Sequence, residues 1–130
     1  MQAGYPFPKS HRVTQRRDYV LCYRQGRKYF SADFLIYVRP RGNDGQGYRL
    51  GTAVSKKIGK AVKRNRVKRL LREFFRLNQH DLLMNADYVV VPKRHIKPDR
   101  LTFSQVQAQL SKVMVRIARD LGPECDQRCG

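Results

Sequence analysis

The chain is 130 residues long and carries 28 Lys plus Arg against 10 Asp plus Glu, a formal net charge of +18. That length supports one domain with a modest core, and no apolar run is long enough to cross a bilayer. Self-repulsion on this scale is tolerated where a polyanion neutralises it, which leaves nucleic acid, an anionic membrane surface or an acidic protein as partner classes.

The opening stretch MQAGYPFPKSHR has no signal-peptide core, and Pro6 and Pro8 oppose an early helix. Residues 1–13 therefore read as extended, with 1–8 a mobile tail. TQRRDYVLCYRQG predicts a short helix, with Thr14 as its N-cap and Gly26 as a left-handed C-terminal residue. Tyr19 and Tyr23, four apart, share one face of it. A weak strand signal sits at 28–30. DFLIYVRP, rich in β-branched and aromatic residues without helical period, predicts a strand. Alternation turns Phe34, Ile36 and Val38 to one face and Leu35, Tyr37 and Arg39 to the other. Glycine-rich RGNDGQG leads to the return strand YRLGTAVSK, and the pair predicts a hairpin.

A long helix is expected from near 58–60 to about 78, followed by ADYVVVP as a more buried strand. TFSQ then offers a capping box at Thr102 and Gln105. It opens a helix whose stripe of Val106, Leu110, Val113, Ile117 and Leu121 reads as core packing. Gly122-Pro123 stops that helix, and 123–130 read as a second mobile tail.

Catalytic and metal-ligating patterns are poor. Cys22, Cys125 and Cys129 read as reduced thiols of a cytoplasmic protein. The CDQRC pair lacks the further two ligands that structural zinc requires. His11, His80 and His95 show no metal spacing, no phosphate-binding glycine loop precedes a helix, and the carboxylates are scattered. If the protein serves an enzymatic reaction, its own side chains do not perform the chemistry, and it chelates no metal directly.

The informative stretch is basic. Between residues 56 and 76, ten Lys and Arg stand against Glu73 alone, supplying half of the net charge. At about 100° per residue, Val67, Leu70, Leu71 and Phe74 fall on one narrow face. Asn65, Arg69, Arg72 and Arg76 fall on the opposite one, with Lys68 at its edge. A merely solvated face mixes signs for small i, i+4 gains; this one does not, so it predicts an anion-binding surface. Guanidinium forks suit phosphate oxygens and stack on bases, and a membrane-surface helix would need a wider apolar face. Nucleic acid is the partner these residues indicate. Tyr19 and Tyr23, with Leu35 and Tyr37, either line a shallow cleft that stacks unpaired bases or simply pack helix on sheet. The residues alone leave both readings open.

The segment GTAVSKKIGKAVKRNRVKRLLREFF, residues 51–75, closely resembles the signature of the bacterial ribonuclease P protein subunit: a Ser-Lys-Lys type strand end, then a helix containing Arg-Asn-Arg, here Arg64-Asn65-Arg66, followed by Val67-Lys68-Arg69-Leu70. The likeness extends over 12–121 through the Asp18-Tyr19 helix, Gly26, the 34–37 strand and ADYVVVP. It implies a single α/β domain over 1–130, an α+β sandwich of order αβββαβα like the second domain of a small-subunit ribosomal protein. It also implies a left-handed βαβ crossover, against the general right-handed preference.

The resemblance further implies one protein bound to one catalytic RNA that removes the 5′ leader of precursor tRNA, with Mg2+ held mainly by that RNA. By resemblance Arg64, Asn65, Arg66, Lys68, Arg69 and Arg72 meet the catalytic RNA, with Lys56, Lys57 and Lys60 as further phosphate contacts. Tyr19, Tyr23, Leu35 and Tyr37 match the leader-binding cleft. Thr14 and Gln15 stand where the family often has two lysines, a place that Arg16 and Arg17 can fill. A ribosomal-type RNA-binding module without a catalytic role shares the charge and the aromatics, but gives no reason for the whole 51–75 pattern.

Overall fold

The most continuously apolar strand takes the middle of the sheet, and the other elements arrange around it. The computed structural model describes residues 12–41, 47–79 and 86–121. Within them lie α1 (Arg16–Gln25), β1 (Arg27–Phe30), β2 (Phe34–Pro40), β3 (Arg49–Thr52), α2 (Ala61–Leu77), β4 (Ala86–Pro92) and α3 (Phe103–Leu121). This is the αβββαβα order, with a 3₁₀ turn at Lys56–Ile58 before α2. The two tails, the 42–46 tip of the glycine-rich loop, His11, His80, Gly122-Pro123, Cys125 and Cys129 lie outside the described residues.

The sheet order is β1-β2-β4-β3. β2 pairs antiparallel with both β1 and β4, whereas β3 runs parallel to β4. The expected hairpin between β2 and β3 is therefore not formed, because β4 lies between them. Six of the seven residues of β4 are buried, so its backbone needs a paired strand on either side and both its faces need helices over them. The short β3, with Gly51 and a half-buried Arg49, suits the edge. The hairpin that does form joins β1 to β2 through residues 31–33, closed by Ser31 N–H donating to the Phe34 carbonyl (2.8 Å).

One face of the sheet carries the core. Phe34, Ile36, Val38, Leu50, Tyr88 and Val90 meet Val67, Leu71, Phe74 and Phe75 of α2 and the Val106, Leu110, Val113 and Ile117 stripe of α3. The α3 capping box is reciprocal: Gln105 N–H donates to Thr102 Oγ1 (3.2 Å) and Thr102 N–H to Gln105 Oε1 (3.0 Å). α1 differs from expectation at both ends. Its N-cap is Gln15, with no side-chain capping bond, and Thr14 is exposed. Gly26 is extended (φ −77°, ψ 155°) rather than left-handed. Glycine is needed there for close approach instead: a Cβ would stand 2.5 Å from the Cys22 carbonyl oxygen and 3.0 Å from that of Val38.

α1 packs on the second face, where Cys22 is fully buried and its thiol donates to the carbonyls of Tyr37 (3.6 Å) and Asp87 (3.8 Å). Asp87 is the one fully buried charged side chain among the described residues. Three arginines converge on its carboxylate: Arg39 (3.1 Å), Arg41 (2.6 Å) and Arg49, which is bidentate at 2.7 and 2.9 Å. Arg49 also reaches Asp18 of α1 (3.6 Å). Burying such charges is tolerable only when paired and hydrogen-bonded on this scale.

Two outcomes test this packing. Asp87→Ala strands three arginines around a vacated site, so urea unfolding should show a loss of about 3–5 kcal/mol. Burial and the nearby Asp87 carboxylate push the Cys22 thiol up to about 12. At pH 8 roughly one part in ten thousand is then thiolate. Iodoacetamide labelling read by mass spectrometry should spare Cys22 in native protein and modify it in urea.

Candidate nucleic-acid interface

The basic surface starts at the turn before α2. Ser55 Oγ accepts from Lys57 N–H (3.0 Å) and Ile58 is buried, which pins the turn and leaves Lys56 and Lys57 exposed. Gly59 then adopts φ +151°, a conformation that L side chains rarely take, and its Cβ would crowd Lys63 Cδ at 3.1 Å. The chain enters α2 with Lys60, Lys63, Asn65 and Arg69 exposed and Val67, Leu71, Phe74 and Phe75 fully buried. The two faces read from the sequence are the two faces observed, with Leu70 at the margin of the core.

The arginines of this helix are not equivalent. Arg66 donates through Nε to the Pro98 carbonyl (2.8 Å) and through Nη2 to that of Leu101 (2.7 Å), fastening α2 to the turn before α3. Arg64 Nε donates to the Gly59 carbonyl (3.1 Å), Lys63 pairs with Asp99 (3.3 Å), and Arg76 is neutralised by Glu73 (2.7 Å). Among the described residues no carboxylate lies within ion-pair distance of Lys68, Arg69 or Arg72. Arg72 is half-buried, and its guanidinium pKa is lowered by burial and by the adjacent Arg12, with Tyr19 opposing the shift. A cation held beside another cation at the mouth of a cleft is a place where a phosphate relieves repulsion.

The cleft follows from strand register on the α1 side of the sheet. Arg39, Asp87 and Arg49 form one row across the strands; Lys28, Tyr37, Val89 and Gly51 form the next; Phe30, Leu35 and Val91 form the third. Cys22 anchors α1 over the first two rows, leaving the third open, with Leu35 and Val91 half-buried. Tyr19, Tyr23 and Tyr37 make its wall. Tyr23 stands edge-on to Tyr37 at 4.9 Å between centroids and tilted to Tyr19 at 6.5 Å. The hydroxyl end of Tyr19 sits over Gly51, where a Cβ would come within 2.8 Å of its ring. Burial raises the Tyr19 hydroxyl pKa, while a backbone hydrogen bond at Thr52 and the charge of Arg72 oppose the shift. Burial raises the Tyr23 hydroxyl pKa as well, so the Tyr19 and Tyr23 phenols stay neutral donors near pH 7. The three strands of that open row, spaced about 4.8 Å apart, make a floor about 10 Å across.

Tyr19, Tyr23 and Tyr37 are thus brought together, with Leu35 beside Tyr37 on the same sheet face; the tyrosines both pack helix on sheet and present aromatic edges, and Tyr23 keeps 39% exposure. Arg72 joins this cleft to the basic face through Tyr19, and Lys56 and Lys57 follow closely after Thr52 ends β3. Several residues of the surface were not singled out from the sequence. Phe30 and Val91 extend the floor, the Lys28 ammonium sits 5.8 Å from the Tyr37 ring, and that of Lys93 sits 5.6 Å from the Phe30 ring. The register of the weak 28–30 strand was the signal that places Phe30 and Lys28. Val91 and Lys93 follow from the alternation of ADYVVVP only once β4 is known to neighbour β2.

Among the described residues no group of three His, Cys, Asp or Glu converges as a metal site, and no helix is long and apolar enough to cross a membrane. The family model for ribonuclease P matches residues 7–118. The chain is 45% identical over 117 residues to the ribonuclease P protein component of Desulfovibrio desulfuricans, covering 90% of each. It is 46% identical over 115 residues to that of Oleidesulfovibrio alaskensis, covering 88% of this chain and 92% of the relative. Among solved structures, the RNase P protein from Thermotoga maritima is similar with a TM-score of 0.72 and 34% identity, over 82% of this chain and 96% of that one. The Staphylococcus aureus RNase P protein gives a TM-score of 0.71 and 30% identity, over 85% and 96%. The matched span runs from before α1 into the last turn of α3 and includes the Arg-Asn-Arg helix and the tyrosine cleft, and the chain belongs to the ribonuclease P protein family.

Proposed function

We propose that this chain is the protein subunit of a cytoplasmic ribonucleoprotein endonuclease that removes the 5′ leader from precursor tRNA. It lays the outward face of α2 on a catalytic RNA and holds the single-stranded leader in the tyrosine cleft. The observation that carries this reading is the junction at Arg72 and Tyr19, where an arginine-rich helix face runs directly into an aromatic groove. A structured RNA supplies phosphates for Asn65, Lys68, Arg69 and Arg72, with Arg64 and Arg66 offering the donors that their backbone bonds leave over. Lys56, Lys57 and Lys60 extend the same field. An unpaired leader supplies flat base faces for Tyr19, Tyr23, Leu35 and Tyr37, each stack contributing about 1–3 kcal/mol.

The chemistry belongs to the RNA in this reading. The side chains of α2 are cations rather than metal ligands, so they do not fit a resident Mg2+, and the ion is assigned to phosphates of the partner. The cations lower repulsion where two RNAs meet, a task that Mg2+ otherwise performs, so the protein reduces the magnesium the reaction needs. One protein per RNA is the stoichiometry proposed.

The direct test is precursor-tRNA cleavage by a bacterial ribonuclease P RNA at low magnesium, with and without this protein, beside binding of leaderless tRNA. Restored 5′ maturation with a leader-dependent gain in affinity is the expected result; RNA binding without any effect on cleavage would refute the reading. Two variants divide the helix. Arg69→Ala should leave urea unfolding nearly unchanged and reduce the salt dependence of RNA binding by about one in log–log slope. Arg66→Ala should also destabilise the fold, by about 1–3 kcal/mol, because two buried carbonyls lose their donors. Gly51→Ala should displace Tyr19 and weaken binding of leader-bearing substrate more than leaderless tRNA, measured by filter binding.

A further inference from the structure

We propose that Phe30 is an outer base-stacking position, taken by a nucleotide of the single-stranded leader as it leaves the cleft over the β1 edge. This rests on the leader-binding reading of the cleft given above. Phe30 lies on an edge strand with 53% of its surface exposed, while the preceding Tyr29 is buried in the core. A large exposed aromatic on a sheet edge invites unwanted pairing and is not there for packing. Its register partner is Leu35, whose other partner is Val91, so the open floor of the cleft continues onto the Phe30 ring.

The setting of the ring selects its occupant. The Lys93 ammonium lies 5.6 Å from the ring centroid and is fixed there by donating to the Ser31 carbonyl (2.8 Å). On the neighbouring row the Lys28 ammonium lies 5.8 Å from the Tyr37 ring. Asp33, the carboxylate nearest in the chain, is engaged by Gln109 (2.6 Å) and His95 (3.0 Å). The backbone beneath the ring is held by Arg116 of α3, which donates to the Phe30 carbonyl (2.7 Å). An apolar peptide would have to desolvate both ammonium groups without pairing them. Unpaired nucleic acid offers the complementary pattern, a flat base with an anionic phosphate on either side. Lys93 and Lys28 thus face the phosphates flanking the stacked base, and the cleft acquires a far end, opposite the one guarded by Lys56, Lys57 and Arg72.

The holoenzyme, reconstituted with a bacterial ribonuclease P RNA, tests this with precursor tRNAs whose leaders are lengthened one nucleotide at a time. The wild-type protein should gain affinity as the leader grows to reach the β1 edge. Phe30→Ala should lose about 5- to 150-fold of the gain made at that last step. Phe30→Leu, which keeps an apolar side chain without an aromatic face, should lose it too, and Phe30→Trp should retain it. Urea unfolding identifies any variant whose loss is one of folding, and Phe30→Leu keeps the test open if Phe30→Ala is such a variant. A full gain in Phe30→Ala or in Phe30→Leu overturns the stacking position while leaving the cleft reading intact. No leader-dependent gain in the wild-type protein overturns the cleft reading, and this inference with it.

Discussion

The carboxylate of Asp87 is the constraint on which the arrangement depends. In a chain with a net charge of +18, cations would ordinarily push the elements apart, yet Arg39, Arg41 and Arg49 converge on one fully buried acid at the start of β4. Through Arg49 the cluster extends to Asp18 on α1. The ion network therefore ties β2, β3 and the helix that carries Tyr19 and Tyr23 to the central strand. It also decides where α1 sits: over the charged row, with the apolar row beyond it left open. The cleft is what remains of that face once the charges have been covered.

The basic residues then separate into those that build the domain and those that face outward. Arg66 closes two backbone carbonyls, Arg116 closes another on the β1 edge, and Arg76 is neutralised by its neighbour on the helix. Lys68, Arg69 and Arg72 have no such duty toward a carboxylate among the described residues. Sequence alone gives these groups the same letter. Their difference lies in what stands opposite them, and it is why a helix with so little acid remains folded before RNA arrives: part of its charge is already held by backbone dipoles.

Much of the fold was legible because it depends on local chemistry. The reciprocal Thr102 and Gln105 cap, the alternation of Phe34, Ile36 and Val38, and the two faces of α2 all follow from spacing within one element. Apart from the α1 N-cap, which falls on Gln15 rather than Thr14, the errors concern what the chain meets far away. Nothing within RGNDGQG or its flanks announces that β4 will insert between β2 and β3, since that outcome rests on the two-sided burial of a strand more than thirty residues later. Gly26 is not the left-handed residue expected at the end of α1; a side chain there is opposed by the approach of the Cys22 and Val38 carbonyls. The candidate site divides the same way. Its named residues came from the 51–75 pattern and the paired tyrosines, while Phe30, Lys28 and Lys93 depend on strand pairing that the sequence states only weakly.

On the proposed reading, the same geometry would let one small domain engage two kinds of RNA. A structured RNA presents closely spaced phosphates on a rigid surface, and the match is a rigid helix with outward forks, preorganised by its burial on the sheet. A single strand presents bases whose stacking partners have been removed, and the match is an aromatic groove that tolerates any sequence, because every base has a π-face. Placing both on adjoining elements fixes their relative position through the core rather than through a loop. On that reading any shift of α1 relative to α2 would change the register between the two RNAs, and the contact of Tyr19 with Gly51 seats α1 on β3, the strand that leads into α2.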